Sequence, residues 1–418
     1  MKPISPFGLP IGISITFWSL VGLIRLITEK FPFKKRRKKL SHLKVSDIAA
    51  VVPAHNEELI IRRCIKALRQ SLKPRQIYVV SDGSGDKTYR RARYEGCHVS
   101  RLDPGRGKAR AMIYLINRYR LYQRYKLIFI VDADTNVDKT FVTRALEILQ
   151  DPATSVVFAT SQIKWQQHII PNLKYYFLAY RDRLNRLLQY FFIYGQTWKY
   201  TNVNYVIPGF CTIYRSKILK KLEIDTPGLL IEDFNLAFQF HKKKLGKLGF
   251  SHGLIGWDQY PDNFIDYWKQ VRRWNIGFFQ TIKKNGVWPS FFWLALGIFS
   301  AEVLLHSIFI LFLPLVILYL TIQLLPFTNE VTSVFTNFYK QFGPYKSLNL
   351  RDIFIGVFAI DYLFTVGVGL LKRRPQYLFY GLFFVFMHYV TSLILITSLV
   401  PGFFGKSSGR WISPTRQS

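Results

Sequence analysis

The sequence predicts an α/β, Rossmann-like domain joined to α-helical transmembrane segments, and three observations carry that expectation. Short apolar runs alternate with charged helical stretches from Val45 to about Leu248, which is the signature of βαβ units. Two of these runs end in carboxylates, Asp82 and the pair Asp132 and Asp134, at the strand ends where open α/β sheets bind ligands. Apolar blocks long enough to cross a bilayer flank the region on both sides.

Taken in order, residues 1–28 hold an apolar stretch from Phe7 to Ile27, close to the ~20 residues a span requires. The basic run Lys34-Lys35-Arg36-Arg37-Lys38-Lys39 follows that stretch, and no small-residue cleavage site is obvious. An uncleaved anchor therefore fits better than a signal peptide. Residues 45–250 form the expected α/β domain. Its first strand is Asp47–Pro53, followed by an amphipathic helix from Glu58 to Ser71 and a second strand from Gln76 to Val80. Helices are expected over 88–94 and 108–124. Leu127–Val131 reads as a buried parallel strand, and Ser155–Ala159 continues the sheet. The aromatic-rich stretch 172–194 reads as a packing helix with Arg183 and Arg186 on a solvated face; lining a sugar path is its alternative. Residues 251–288 set Trp268, Trp274, Phe278 and Phe279 against Lys269, Arg272, Lys283 and Lys284, a pattern suited to helices lying in a membrane interface. Residues 289–400 read as C-terminal transmembrane helices, from apolar blocks over 288–325, 353–371 and 377–400, and 401–418 as a basic tail. The number of spans stays open: three after a first one would put the tail outside, against the positive-inside bias.

Composition supports a membrane protein. Apolar residues make up 49% while the formal charge is +33, a combination a soluble domain seldom shows. The basic residues cluster beside apolar segments, at 34–39 and 372–374, as in cytoplasmic loops held against anionic lipid. No nucleic-acid-binding module organises them, so no nucleic-acid partner is expected. Cys64, Cys97 and Cys211 are scattered and odd in number, suggesting neither a disulfide framework nor a zinc site. The expected location is the cell membrane, multi-pass, with the α/β domain cytoplasmic.

Several stretches suit a phosphorylated ligand. Asp82-Gly83-Ser84-Gly85-Asp86 is a turn with exposed amides. Gly105-Arg106-Gly107-Lys108 opens a helix whose amides and ammonium could face an anion, without P-loop spacing. Asp132 and Asp134 suit a hard divalent cation that also takes diphosphate oxygens; read alone, strand-end aspartates serve equally as helix caps. Glu232-Asp233 suits a general base, or an ordinary acidic first turn of a helix. Gln270, Arg273 and Trp274 fall at i, i+3 and i+4, on one helix face. Arg273 gripping a diphosphate beside a flat indole for a sugar ring is one reading; an interfacial Trp with a snorkelling Arg is the other.

In this order, Pro53-Ala54-His55-Asn56-Glu57, Asp82-Gly83-Ser84, Asp132-Ala133-Asp134, Glu232-Asp233 and Gln270-Val271-Arg272-Arg273-Trp274 resemble the motif set of membrane-integrated family 2 glycosyltransferases, the synthases of hyaluronan, cellulose and poly-N-acetylglucosamine. The resemblance implies a GT-A-like catalytic domain and inverting transfer of a sugar, N-acetylglucosamine in the nearest match, from a UDP donor onto a growing polysaccharide. It implies processive synthesis with coupled export, and Mg²⁺ or Mn²⁺ as cofactor. Pro53, Asn56 and Glu57 would wrap the base, Asp82, Gly83 and Ser84 would contact the nucleoside, and Lys108 would lie near the phosphates. Asp132 would meet the donor and, with Asp134, hold the metal. Asp233 would be the base with Glu232 beside it, and Gln270, Arg273 and Trp274 would face diphosphate and sugar. Pro208-Gly209-Phe210 would floor the acceptor pocket, and Arg410 and Trp411 of the tail would lie near the nucleotide. Ile231 stands where the family usually has Thr, a change that removes a hydroxyl and leaves the base. The implied partners are a UDP-sugar, a glycan or lipid acceptor, membrane lipid and, with room left for it, an accessory membrane subunit.

Two other readings stay in view. One is a non-processive transferase that glycosylates a membrane lipid; the other is a catalytically idle membrane scaffold, against which the intact carboxylates argue. A glycosidase is disfavoured because Asp132 and Asp134 leave one strand end together, whereas its two acids flank a bond ~5–9 Å apart. In the polymer reading Trp274 is a sugar platform, and the C-terminal blocks form an exit path where Glu302 and His306 would be tolerated.

Overall fold

The structure, a computed structural model, describes residues 12–30, 41–163, 172–323, 333–334, 337, 341 and 350–405. Residues 406–418 of the tail, with Arg410 and Trp411, the basic run 34–39 and residues 1–11 lie outside the described residues.

A seven-stranded mixed sheet organises the α/β domain. Its strands are β1 (Ile48–Ala54), β2 (Ile77–Asp82), β3 (His98–Leu102), β4 (Leu127–Val131), β6 (Thr154–Phe158), β8 (Cys211–Arg215) and β9 (Lys247–Gly249), in the order β3-β2-β1-β4-β8-β6-β9. β3, β2, β1 and β4 run parallel, β8 runs antiparallel to both β4 and β6, and β6 pairs parallel with β9. A second sheet of β5 (Asn136–Val137), β7 (Thr160–Ile163) and β10 (Ile255–Asp258) has the order β5-β10-β7.

The continuous apolar runs of the sequence are buried on both faces, and the pleat divides them. Ile48, Ala50 and Val52 of β1 face the layer of helices α2 (Ile61–Arg69), α3 (Thr88–Tyr94) and α5 (Phe141–Leu149). Ala49 and Val51 face helix α4 (Lys108–Arg118) through Ala111, Met112, Leu115 and Ile116. Parallel pairing of β1 with β2 and β4 brings their C-terminal ends to one edge, which is where the carboxylates sit.

Around this core lie the longer helices. α1 (Ile13–Lys30) packs on the α/β domain: Arg25 donates to the carbonyls of Tyr194 (2.8 Å) and Phe250 (2.9 Å), while Phe17, Leu20, Leu23, Ile24 and Ile27 face outward. α6 (Leu173–Leu187) runs into one wide π-helical turn over Leu188–Ile193. Arg183 and Arg186 of α6 are buried rather than solvated as expected. Arg183 pairs with Asp361, and Arg186 lies 3.6 Å from Asp182. α7 (Glu232–Lys242) and the amphipathic α8 (Phe264–Asn285) follow. The C-terminal region is helical: α9 (Phe291–Leu311), α10 (Leu313–Gln323), α11 (Leu350–Lys372), α12 (Gln376–Gly381) and α13 (Phe384–Phe404). Among the described residues two helices are long and apolar enough to cross a membrane, Phe291–Leu315 and Phe384–Phe404; α1 and α11 are not among them.

Glu302 of α9 accepts from the backbone N–H of Gly12 and, at 3.0 Å, that of Ser14. It therefore caps the N-terminus of α1, where backbone donors lack partners within their helix. The expected place of Glu302 in an exit path is corrected: the side chain is taken up by α1.

Candidate active site

Gly83 turns the chain out of β2 at φ +61°, a backbone conformation that L side chains rarely adopt. A Cβ on Gly83 would also lie 2.8 Å from the Cα of Gly105, so only glycine lets the 103–107 loop close onto the end of β2. The buried Asp82 carboxylate then accepts from the N–H of Arg106 (2.7 Å) and of Gly107 (2.8 Å), one on each oxygen. That pair of bonds fixes the start of α4, whose first residue is Lys108.

Lys108 reaches the centre of the site. Its Nζ lies 3.0 Å from Asp132 Oδ1 and 2.9 Å from Glu232 Oε1. Glu232 and Asp233 form the first turn of α7, so acidic first turn and candidate base are the same residues. A Cβ on Gly209 would come within 2.5 Å of Asp233 Oδ1 and 3.2 Å of Lys108 Nζ, which explains a glycine in the 208–210 loop. Ile231 packs on α8: a Cβ on Gly277 would stand 3.0 Å from its Cβ. An apolar contact thus occupies the position where the resemblance leads one to expect Thr.

The charges in this cluster differ in kind. Burial works against the Lys108 ammonium, but the charges of Asp132, Glu232 and Asp233 outweigh it and hold its pKa well above the usual range. Burial alone would raise Glu232; Lys108, with help from Arg273, reverses this and keeps it a carboxylate. Burial and the neighbouring Glu232 charge push Asp233 up to about 7. Asp132 rises to about 6 by burial, opposed by Lys108 and reinforced by Asp134. A fixed ion pair therefore stands beside carboxyls that exchange protons near neutrality.

A cavity of about 1210 Å³ joins these groups. Pro53, Glu57, Asp82, Gly83, Lys108, Asp132, Asp134, Glu232, Asp233, Gln270, Arg273 and Trp274 all line it. Asn56 and Ser84 do not. Asn56 Oδ1 accepts from the Gly85 N–H (3.0 Å) and Ser84 Oγ from the Asn56 N–H (3.2 Å), so both tie the β1 and β2 ends together. Sequence reasoning missed Arg181, Asp258 and Tyr260, which line the same cavity from α6, the end of β10 and the β10–α8 connection. No motif marks them. Arg181 stacks over Trp274 at 4.5 Å from the ring centroid, so one face of the indole already carries a cation.

The cavity has a second, apolar half. Phe278, Phe279 and Ile282 of α8, Phe299, Val303 and Leu304 of α9, and Leu395, Leu399 and Phe403 of α13 line it, whereas Glu302 and His306 do not. The donor set fits a divalent cation in the sparing way that magnesium and manganese use. Asp132 reaches the cavity with Lys108 beside its carboxylate, and Asp134 stands two residues on in the same cavity. No group of three or more His, Cys, Asp or Glu gathers among the described residues, which leaves the other ligand positions to donor phosphates and water.

With this geometry established, the relationships of the chain become interpretable. Residues 49–223 match the family model described as Glycosyl transferase family 2. That match runs from β1 to β8 of the α/β domain. The probable glycosyltransferase YdaM of Bacillus subtilis is 26% identical over 243 residues, 55% of this chain and 54% of that protein. The uncharacterized protein MJ1222 of Methanocaldococcus jannaschii is 38% identical over 101 residues, 24% of this chain and 41% of that one. The chain spans about half the length of the curated relatives it matches. The mannosyltransferase PcManGT of Pyrobaculum calidifontis, solved with GDP-Man and Mn²⁺, superposes with a TM-score of 0.54 at 14% identity, over 95% of this chain and 99% of that one. The likeness is one of fold: a GT-A-like glycosyltransferase domain with a mixed sheet, followed by a helical C-terminal region. Family match and fold thus point the same way, to a glycosyltransferase-like α/β domain.

Proposed function

We propose that this enzyme transfers one sugar from a nucleoside-diphosphate donor to a hydroxyl group of a membrane lipid. The observation that carries the reading is the continuity of the cavity, from Asp132, Asp134 and Asp233 at the sheet edge to apolar walls on α8, α9 and α13. α9 begins one candidate membrane span and α13 is the other. A lipid tail gains from apolar walls, whereas a growing glycan needs hydroxyl partners along its path.

In this reading Asp233, ionised above its raised pKa, takes the proton of the acceptor oxygen. That oxygen attacks the anomeric carbon, the bond from that carbon to the diphosphate breaks, and the nucleoside diphosphate leaves with inversion. A divalent cation held by Asp132 and Asp134 would supply neutralisation of the leaving diphosphate. Lys108 and Arg273 face the same charge from α4 and α8, and Pro53, Glu57 and Asp82 border the base and ribose side. UDP-N-acetylglucosamine is the donor to test first, from the resemblance of the motifs; GDP-mannose is the second, because PcManGT is solved with it.

A second reading, processive synthesis of a polysaccharide with coupled export, is favoured by one observation: Gln270, Arg273 and Trp274 all face the cavity from one side of α8. Sizing of radiolabelled product separates the two. Organic-phase product carrying one sugar supports lipid transfer; a ladder of water-soluble oligosaccharides supports the polymer.

A further inference from the structure

An arginine that no motif marks, Arg181, lines the cavity. Arg181 leaves α6 beside Tyr180, whose hydroxyl lies 3.2 Å from His388 Nδ1 of α13. Its guanidinium carbon is 4.5 Å from the Trp274 centroid and 5.0 Å from the Tyr260 centroid, so the cation is held by ring faces. Its Nε is buried with no hydrogen-bond partner among the described residues. An arginine stacked in this way keeps its planar edge of N–H donors for a ligand, and that edge matches the oxygens of a phosphate or carboxylate. The donor diphosphate has other cations to meet, Lys108 and Arg273, on the Asp132 and Glu232 side of the site.

We propose that Arg181 is the residue that selects the acceptor, by binding an anionic phosphate in the headgroup of a lipid that also carries the acceptor hydroxyl and whose chain lies along α9 and α13. The inference rests on the lipid-transfer reading above and deepens it. Charge complementarity names the occupant. A neutral lipid alcohol leaves a partly buried guanidinium with unmade bonds, whereas a lipid phosphate satisfies it next to walls that take an alkyl chain.

Three probes test this on the purified full chain in neutral detergent: hexadecyl phosphate, hexadecanol and inorganic phosphate, each titrated by calorimetry. Hexadecyl phosphate should bind about ten- to a hundredfold more tightly than hexadecanol, the contribution of one charge-assisted contact, and far more tightly than inorganic phosphate. Equal binding of hexadecyl phosphate and hexadecanol by the wild type overturns the proposal without any variant. Inorganic phosphate binding as tightly as the alkyl phosphate also overturns it, since the site would then be a free-phosphate site. In Arg181→Gln the ratio of the two alkyl probes should fall toward one, with partial rescue in Arg181→Lys; an unchanged ratio in Arg181→Gln removes the residue from this role. Binding of the donor nucleotide by the wild type is read in parallel. If the nucleotide fails to bind, the transferase reading is at fault; if it binds and the alkyl probes are not distinguished, only the role of Arg181 is.

Discussion

The chemistry of single residues divides between groups that hold charge and groups that exchange it. Lys108 and Glu232 are fixed as an ion pair 2.9 Å apart, while Asp233 titrates near 7. A base is active when ionised, so a raised pKa means loss of function as pH falls through it. kcat/KM should therefore rise with pH, with a midpoint near 7, and flatten above. A flat profile between pH 5.5 and 8 would count against Asp233 as the base. Replacing it by Asn should lower turnover by ~10²–10⁴ while donor nucleotide still binds, as calorimetry can check. Chelation should abolish nucleotide binding, because Asp132 and Asp134 would then face the diphosphate with no cation between them. The carboxylates were legible in the sequence because strand ends are where α/β sheets place chemistry. Arg181 was not: its position between Tyr260 and Trp274 depends on packing between α6 and α8, and no local pattern encodes that.

At the scale of elements, the site depends on loops that approach more closely than side chains permit. Gly83→Ala would add a Cβ at φ +61° and 2.8 Å from the Cα of Gly105, pushing the Arg106–Lys108 segment off Asp82. Nucleotide affinity should fall by about tenfold or more, since the left-handed conformation alone costs an alanine about 1–2 kcal/mol. Gly85→Ala is the control, because a Cβ there meets nothing within 4 Å and affinity should hold. The parallel strands and their helices follow from apolar runs of the right length: the expected first strand, 47–53, is Ile48–Ala54, and the fourth, Leu127–Val131, coincides with its expected range. β8 escaped notice because Cys211–Arg215 is buried throughout and shows no alternation, and its antiparallel pairing with β4 and β6 is long-range. The solvated arginine face expected on 172–194 failed for a related reason. The partner of Arg183, Asp361, lies far along the chain in α11, and sequence periodicity cannot see it.

For the whole molecule, the packing of the α/β domain against its helices would decide the acceptor in the lipid-transfer proposal. α1 is docked through Arg25, which bonds to Tyr194 and Phe250 and lies over the Tyr194 ring at 4.0 Å. Arg25→Ala should lower unfolding stability by about 2–4 kcal/mol, because charged hydrogen bonds to buried carbonyls are lost together. Denaturant unfolding in detergent measures this, and a change under about 0.5 kcal/mol, the scale of ordinary surface substitutions, would show α1 to be loosely held. α9 and α13 extend the cavity with apolar walls, which suit an alkyl chain better than a glycan. The most direct measurement is transfer itself: purified enzyme, radiolabelled UDP-N-acetylglucosamine or GDP-mannose, Mn²⁺, and a total membrane-lipid extract, with products partitioned between butanol and water and then sized. The expected result is a butanol-soluble product carrying a single sugar, absent without lipid and reduced in Asp233→Asn by the same ~10²–10⁴. A ladder of water-soluble oligosaccharides formed without added lipid would contradict it.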